Sequence, residues 1–225
     1  MDITDILDSE LSFEKSSIAI VGPGPDLDDS SIFYYLSRIN DGKIYIVDKE
    51  DSTPVTNGFG DFKRFKKLLN QFLAETNLYF CKNINYFSSD AENIDKISED
   101  NKPDIISYRN IFSYMDEKSI EKSVKSAFNA LKPNGKIVVM ARESHFSYDC
   151  LKNLLCSCNL KEYDIKDKET YRVNTDLIPD VPEFDSFSGN FTPYCRIFSD
   201  KANFEVIFEP KFLTDKLLIA HKNQD

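Results

Sequence analysis

The chain has 225 residues, of which 41% are hydrophobic, and its formal net charge is −10 at pH 7. This length suits one sizeable domain with its own core, and no apolar run reaches the roughly 18 residues that a membrane-spanning helix needs. The negative charge argues against a nucleic-acid partner, because binding to phosphates requires clustered lysine and arginine side chains.

The N-terminal sequence and the cysteines indicate a cytoplasmic protein. The first residues are acidic and amphipathic, and they lack the basic start and apolar stretch of a secretory signal. Five cysteines, an odd number, favour reduced thiols over a disulfide framework. Cys156 and Cys158 do not have the spacing of a zinc site, and two histidines are too few to complete a ligand shell. We therefore expect no metal and no membrane partner.

The first half of the chain alternates between strand and helix patterns. The apolar run at residues 18–21 predicts a strand that is buried on both faces, and apolar residues at helical spacing from 32 to 39 predict a helix after it. Residues 43–48 predict a second strand, and after a loop rich in glycine and proline Asp61 can cap the next helix. This order of elements is typical of a parallel sheet.

The alternation continues to about residue 165. A helix that Asp116 can cap ends at the sequence KPNG, where Gly135 is expected to supply the permissive backbone dihedral, and another helix covers residues 148–158. Further strand patterns lie at residues 84–90, 104–108, 136–141 and 160–165. The whole pattern predicts a mostly parallel sheet with helices on both faces.

The rest of the chain has a different organisation. Residues 166–203 lose periodicity and are rich in Pro, Asp, Ser and Phe, so we expect an insertion over one edge of the site within a single domain spanning residues 1–225. Two strand-like runs, at 204–210 and 216–222, must pair antiparallel if they pair with each other. Four aromatic residues of the insertion can line a pocket or simply pack: Phe184, Phe187, Phe191 and Tyr194.

Ligands of doubly wound sheets bind at the carboxyl ends of the strands, and here the first strand ends in a turn of two glycines and two prolines at residues 22–26. A nucleotide diphosphate fits this turn poorly, because both prolines lack an N–H donor and Leu27 occupies the third position of the dinucleotide fingerprint. Asp26, Asp28 and Asp29 also place negative charge where the anion would lie. A cationic cofactor such as S-adenosylmethionine avoids this conflict.

Acidic residues at three strand ends can each meet one part of such a cofactor. Asp26 can lie near its ammonium group, and Asp48 can accept hydrogen bonds from both ribose hydroxyls. Asp90, followed by Ala91, can meet the adenine amino group. Purely structural alternatives remain: a tight strand-to-helix turn for Gly22 and Gly24, a solvated strand end for Asp48 and a helix cap for Asp90.

The sequence resembles the class I SAM-dependent methyltransferases over about residues 17–165. The most specific piece is ALKPNGKIVV, since the family often ends its helix with L-K-P-G-G before the fifth strand. The matching pieces are IAIVGPGPD, KIYIVD, SSDAENI, PDIISYRNIFSYMDE and ALKPNGKIVVM.

The resemblance implies a Rossmann-like, doubly wound α/β fold, with a mostly parallel seven-stranded sheet and an antiparallel C-terminal strand pair. It implies methyl transfer from S-adenosylmethionine to a small molecule or a protein side chain. It carries a binding role onto Gly22, Gly24, Asp48, Asp90, Tyr108, Arg109 and Asn110, and the candidate cofactor contacts also include Pro23, Asp26, Lys49 and Ala91.

Few residues are candidates for a catalytic role. Methyl transfer requires mainly that the nucleophile be held about 3 Å from the methyl carbon and in line with the leaving sulfur. If a base is needed, Glu143 or His145 follows the fifth strand at the correct edge, and Tyr108 is the third candidate. The lack of an N-P-P-Y-type motif disfavours methylation of amino groups of bases or of glutamine.

Two alternatives remain open. The glycine turn also resembles that of nicotianamine synthases, which transfer an aminopropyl group from the same cofactor. The family's acid two residues before the first glycine is replaced by Ile20, and its third small residue by Pro25 and Asp26. These departures favour a catalytically inactive binding or scaffold protein as the second alternative. Residues 108–135 are locally similar to chemotaxis-receptor methyltransferases, without their N-terminal domain.

Overall fold

A computed structural model describes residues 2–23, 31–39, 41–49, 62–75, 83–97, 102–165, 171–173, 195–200, 203–208 and 214–222. The helices are α1 (Ile3–Glu10), α2 (Ser31–Arg38), α3 (Phe62–Glu75), α4 (Glu117–Ala130) and α5 (Ser147–Leu155). The strands are β1 (Ile18–Val21), β2 (Ile44–Asp48), β3 (Ile84–Ser88), β4 (Ile105–Arg109), β5 (Lys136–Ala141), β6 (Lys161–Asp164), β7 (Tyr171–Val173), β8 (Cys195–Asp200), β9 (Asn203–Phe208) and β10 (Lys216–His221). Two 3₁₀ segments lie at Ala91–Lys96 and Ile111–Tyr114.

Seven strands form one sheet in the order β3-β2-β1-β4-β5-β10-β6. The five strands β3, β2, β1, β4 and β5 are parallel to one another. β10 is antiparallel to both of its neighbours, β5 and β6. The predicted Rossmann-like fold is therefore confirmed, and its antiparallel C-terminal pair is formed by β6 and β10. β1 lies between β2 and β4, so the order of the strands reverses beside β1, where ligands of such sheets bind.

The two C-terminal runs do not pair with each other. β9, which covers most of the run at 204–210, is antiparallel to β7 and β8 in a separate three-stranded sheet. β10, which covers the second run, instead joins β5 to β6. The strands β7 and β8 lie within the predicted insertion, where periodicity predicted none. Its four aromatic residues are outside the described part of the chain.

The core lies on both faces of the sheet. Ile18 and Ile20 pack with residues of α1, α2 and α3, whereas Ala19 and Val21 pack with residues of α4 and α5. All four β1 residues are at most 1% exposed. The continuous apolar run at 18–21 is thus explained by a strand that is covered on both sides.

The structure confirms one prediction about the ends of α4 and contradicts another. The Asp116 side chain accepts a hydrogen bond from the Ser119 N–H at 2.8 Å and caps α4, as predicted. The expected dihedral role of Gly135 is wrong, because the left-handed residue is Asn134, with φ of 63°. Gly135 is required for space instead, since a Cβ there would lie 2.9 Å from the Lys132 carbonyl oxygen.

None of the helices within the described ranges is long and apolar enough to cross a membrane.

Candidate functional site

The carboxyl ends of β1 to β5 meet at one edge of the sheet, and the predicted site residues follow them. Gly22 and Pro23 continue β1, and Asp48 is the last residue of β2. Gly24 and Asp26 lie outside the described residues, so their predicted contacts remain predictions. This edge is called the site edge below.

Gly22 adopts a left-handed conformation with φ of 67°, and its N–H donates to the Val47 carbonyl at 2.8 Å. A Cβ at this position would lie 2.5 Å from Cδ1 of Ile111. Asn110, which also has a left-handed φ of 55°, turns the chain after β4 just before Ile111. The left-handed backbone therefore favours glycine here, and a Cβ would require the end of the Ile111 side chain to move. Nothing in the sequence pattern pointed to Ile111.

Asp48 and Asp90 lie at the ends of the neighbouring strands β2 and β3. The Ser89 N–H donates to the Asp48 carbonyl at 3.0 Å, and Asp48 Oδ1 accepts from the Lys49 N–H at 2.7 Å. Asp90 precedes a 3₁₀ segment but makes no side-chain capping hydrogen bond to it, and Ala91 is buried. The Lys49 ammonium lies 3.5 Å from Asp90 Oδ1. The helix-cap alternative for Asp90 thus loses its support.

The three predicted residues at the end of β4 have different environments. Tyr108 and Arg109 are 0% and 6% exposed, and the Tyr108 ring packs on Phe112 with centroids 4.8 Å apart. The Tyr108 hydroxyl has no hydrogen-bond partner among the described residues, and burial raises its pKa. Burial therefore favours the protonated form of this hydroxyl. The Asn110 N–H donates to the Met140 carbonyl at 3.0 Å and so ties the ends of β4 and β5 together.

Glu143 belongs to a charged cluster after β5, which we call the Lys216 cluster: Lys216, Glu143, Glu162 and Asp164. The Lys216 ammonium lies 3.0 Å from Glu143 and 2.8 Å from Asp164, and its side chain is only 11% exposed. Hydrogen bonds to Asp164 and Glu143 raise the pKa of Lys216. The Glu143 N–H also donates to Asp215 at 2.7 Å. These contacts hold the loop after β5 to the start of β10.

His145 lies in the same loop and contacts the start of α5. Its Nδ1 lies 3.0 Å from the Ser147 hydroxyl and 3.4 Å from the Ser147 backbone nitrogen. Its ring lies 4.5 Å from that of Phe146, which is 61% exposed. One ring nitrogen of His145 thus takes part in local structure.

We expect the Lys216 cluster to stabilise the protein less at acidic pH. Hydrogen bonds from Lys152 and Tyr148 lower the pKa of Glu162 from 4.5 to about 2. Stability from this carboxylate is therefore complete above pH 4.5 and is lost as the pH falls toward 2. We expect Glu162→Gln to lower the free energy of unfolding in urea by about 1 kcal/mol at pH 7, and by less at pH 3. Glu14→Gln, at an exposed position, is the control, and a Glu162→Gln effect that is independent of pH would contradict this prediction.

No protein-family model matches the chain, and no curated protein sequence matches it. Solved structures do match it. A SAM-dependent O-methyltransferase from Thermotoga maritima is 12% identical with a TM-score of 0.52, and the match covers 99% of this chain and 64% of that one. A precorrin-6y C5,15-methyltransferase from Geobacter metallireducens is 11% identical with a TM-score of 0.54, over 95% of this chain and 85% of that one. The YcgJ protein from Bacillus subtilis is 15% identical with a TM-score of 0.50, over 98% and 97%.

These similarities confirm the resemblance at the level of the fold. The chain has the fold of the class I SAM-dependent methyltransferases.

Proposed function

We propose that this chain is a SAM-dependent methyltransferase of class I that binds S-adenosylmethionine at the site edge. The observation that carries the proposal is the pair of carboxylates, Asp48 and Asp90, at the ends of adjacent strands beside the Gly22 turn. A ribose diol and a purine amino group both donate hydrogen bonds, and carboxylates accept them. The edge also suits a cation better than a diphosphate.

The proposed cofactor contacts follow the sequence predictions. Asp48 would accept hydrogen bonds from the ribose hydroxyls, and Asp90 would accept one from the adenine amino group, with Ala91 beside the ring. Gly22, Pro23, Gly24 and Asp26 would hold the methionine end. Arg109 and Asn110 would support the site from β4. The cofactor supplies an activated methyl group when it is bound.

The residues after β5 and at the end of β4 support catalysis by alignment. Glu143 is held in an ion pair with Lys216, and the buried Tyr108 hydroxyl keeps its proton. Both arrangements favour a positioning role over proton abstraction. His145 is half-exposed and is the candidate base if the acceptor must lose a proton.

The acceptor is proposed to be a small molecule or a protein side chain. The net charge of −10 disfavours a nucleic acid as partner. A single domain over residues 1–225 and a location in the cytoplasm are part of the same proposal. Aminopropyl transfer and an inactive binding role remain the alternatives, favoured by the turn at 22–26 and by Ile20.

Product analysis tests the proposed reaction. The protein would be incubated with S-adenosylmethionine and pools of small amines and hydroxy compounds, of peptides and of RNA. We expect S-adenosylhomocysteine to be released with small molecules or peptides. Methylthioadenosine would establish aminopropyl transfer instead, transfer to RNA alone would contradict the acceptor class, and binding without any product would favour the inactive alternative.

A further inference from the structure

Lys49 follows directly on the ribose-binding candidate and reaches the adenine-binding candidate. Its backbone N–H donates to Asp48 Oδ1 at 2.7 Å, and its ammonium lies 3.5 Å from Asp90 Oδ1. The Lys49 and Asp90 side chains are 62% and 50% exposed, so the ion pair lies at the solvent-exposed surface of the site edge. The Asp48 carbonyl and the Ser89 N–H hold the two strand ends together at 3.0 Å.

The ion pair engages one oxygen of the carboxylate that is proposed to accept from the adenine amino group. The Lys49 ammonium and an adenine amino group are both hydrogen-bond donors, and Asp90 Oδ1 is an acceptor for either. Because Asp90 makes no capping bond to the 3₁₀ segment after it, the described structure shows no helix-capping task for its side chain. Lys49 and the cofactor would therefore compete for one carboxylate.

We infer that the Lys49–Asp90 ion pair is an autoinhibitory contact, which closes the adenine end of the site in the cofactor-free protein and must open when the cofactor binds. The inference rests on the proposed function. It reverses the expected role of Lys49, which lowers the affinity for the cofactor and does not add to it.

The size of the effect follows from the exposure of the pair. Exposed ion pairs contribute little, so breaking this one changes the binding constant by at most about fivefold. Salt weakens such a pair. The wild-type protein should therefore bind a net-neutral ligand more tightly as the ionic strength rises, while a variant without the ammonium should not.

The test is calorimetric titration with S-adenosylhomocysteine, which carries no sulfonium charge. We expect Lys49→Met to bind it about two- to fivefold more tightly than the wild type at low salt, with the difference closing at about 0.5 M salt. The same substitution should have no effect in an Asp90→Ala background. Lys122→Met is the matched control, because Lys122 is 55% exposed and pairs at 3.0 Å with Glu92, close to Asp90 in sequence.

Unchanged or weaker binding by Lys49→Met would overturn the inference, and weaker binding would show that the lysine stem contacts the ligand. An equal gain in Lys122→Met would assign the effect to net charge and would also overturn it. If neither the wild type nor any variant binds S-adenosylhomocysteine while all remain folded, the proposed function fails and the inference fails with it.

Discussion

Replacing Gly22 by alanine is expected to remove about 1–3 kcal/mol from the free energy of unfolding. Two costs add at this position. A φ of 67° is strained for any residue with a Cβ, and the new Cβ would lie 2.5 Å from Ile111. Urea denaturation of wild type and Gly22→Ala, with an unchanged m-value, measures the effect.

The second variant in this test is Ile111→Ala, which separates the two costs. It removes the side chain that meets the new Cβ but leaves the backbone strain. In a double-mutant cycle, Gly22→Ala should therefore cost less in the Ile111→Ala background, by about 0.5–1 kcal/mol, because the end of the Ile111 side chain can partly move away from the new Cβ. An equal cost in both backgrounds would show that the Ile111 side chain makes room for the new Cβ at no cost, and a Gly22→Ala cost below about 0.5 kcal/mol would contradict the strained turn itself.

Replacing Asp48 by alanine is expected to weaken binding of S-adenosylhomocysteine by about 100-fold. The ribose diol would lose two hydrogen bonds to a charged acceptor, and bonds to charged groups are worth more than neutral ones. A loss of about 2.7 kcal/mol corresponds to this factor. Calorimetric titration at fixed salt measures the affinity.

Asp41→Ala is the matched control for Asp48. It removes the same charge from an exposed aspartate that precedes β2, so it lies at the opposite edge of the sheet from the end of that strand. The affinity of the Asp41→Ala variant for S-adenosylhomocysteine should stay within about twofold of that of the wild type. Equal losses in both variants would indicate a general effect of charge, and no loss in Asp48→Ala would remove Asp48 from the site.

Much of the fold could be predicted because it is encoded locally. β1 is covered on both faces, and a run of four apolar residues is the direct consequence. Asp116 caps α4 through the backbone of Ser119, three positions later, and such a cap is visible in any short window of sequence. The parallel sheet followed from the alternation of these local patterns.

What could not be predicted depends on contacts between distant parts of the chain. Ile111 reaches Gly22 only because the chain turns at Asn110, and the Lys216 cluster joins β5, β6 and β10. The Lys49–Asp90 ion pair likewise joins the ends of two strands. The residue types at these positions carry no periodic signal, so their roles emerge only once the sheet has brought them together.

The C-terminal runs show the same limit. Both have strand-like composition, but composition does not select a partner. β10 completes the main sheet between β5 and β6, whereas β9 pairs with β7 and β8. Their proximity in sequence favoured a hairpin between the two runs. The pairing of β10 with β5 instead depends on the arrangement of the main sheet.

Calorimetric titration of the wild-type protein with S-adenosylhomocysteine, beside a parallel titration with NAD, tests the central claim most directly. Saturable binding of S-adenosylhomocysteine at micromolar concentration, with none of NAD, is the predicted result. Binding of NAD in the absence of any binding of S-adenosylhomocysteine would contradict it, because a site edge that accepts a diphosphate is not the one described by Asp48, Asp90 and the turn at Gly22.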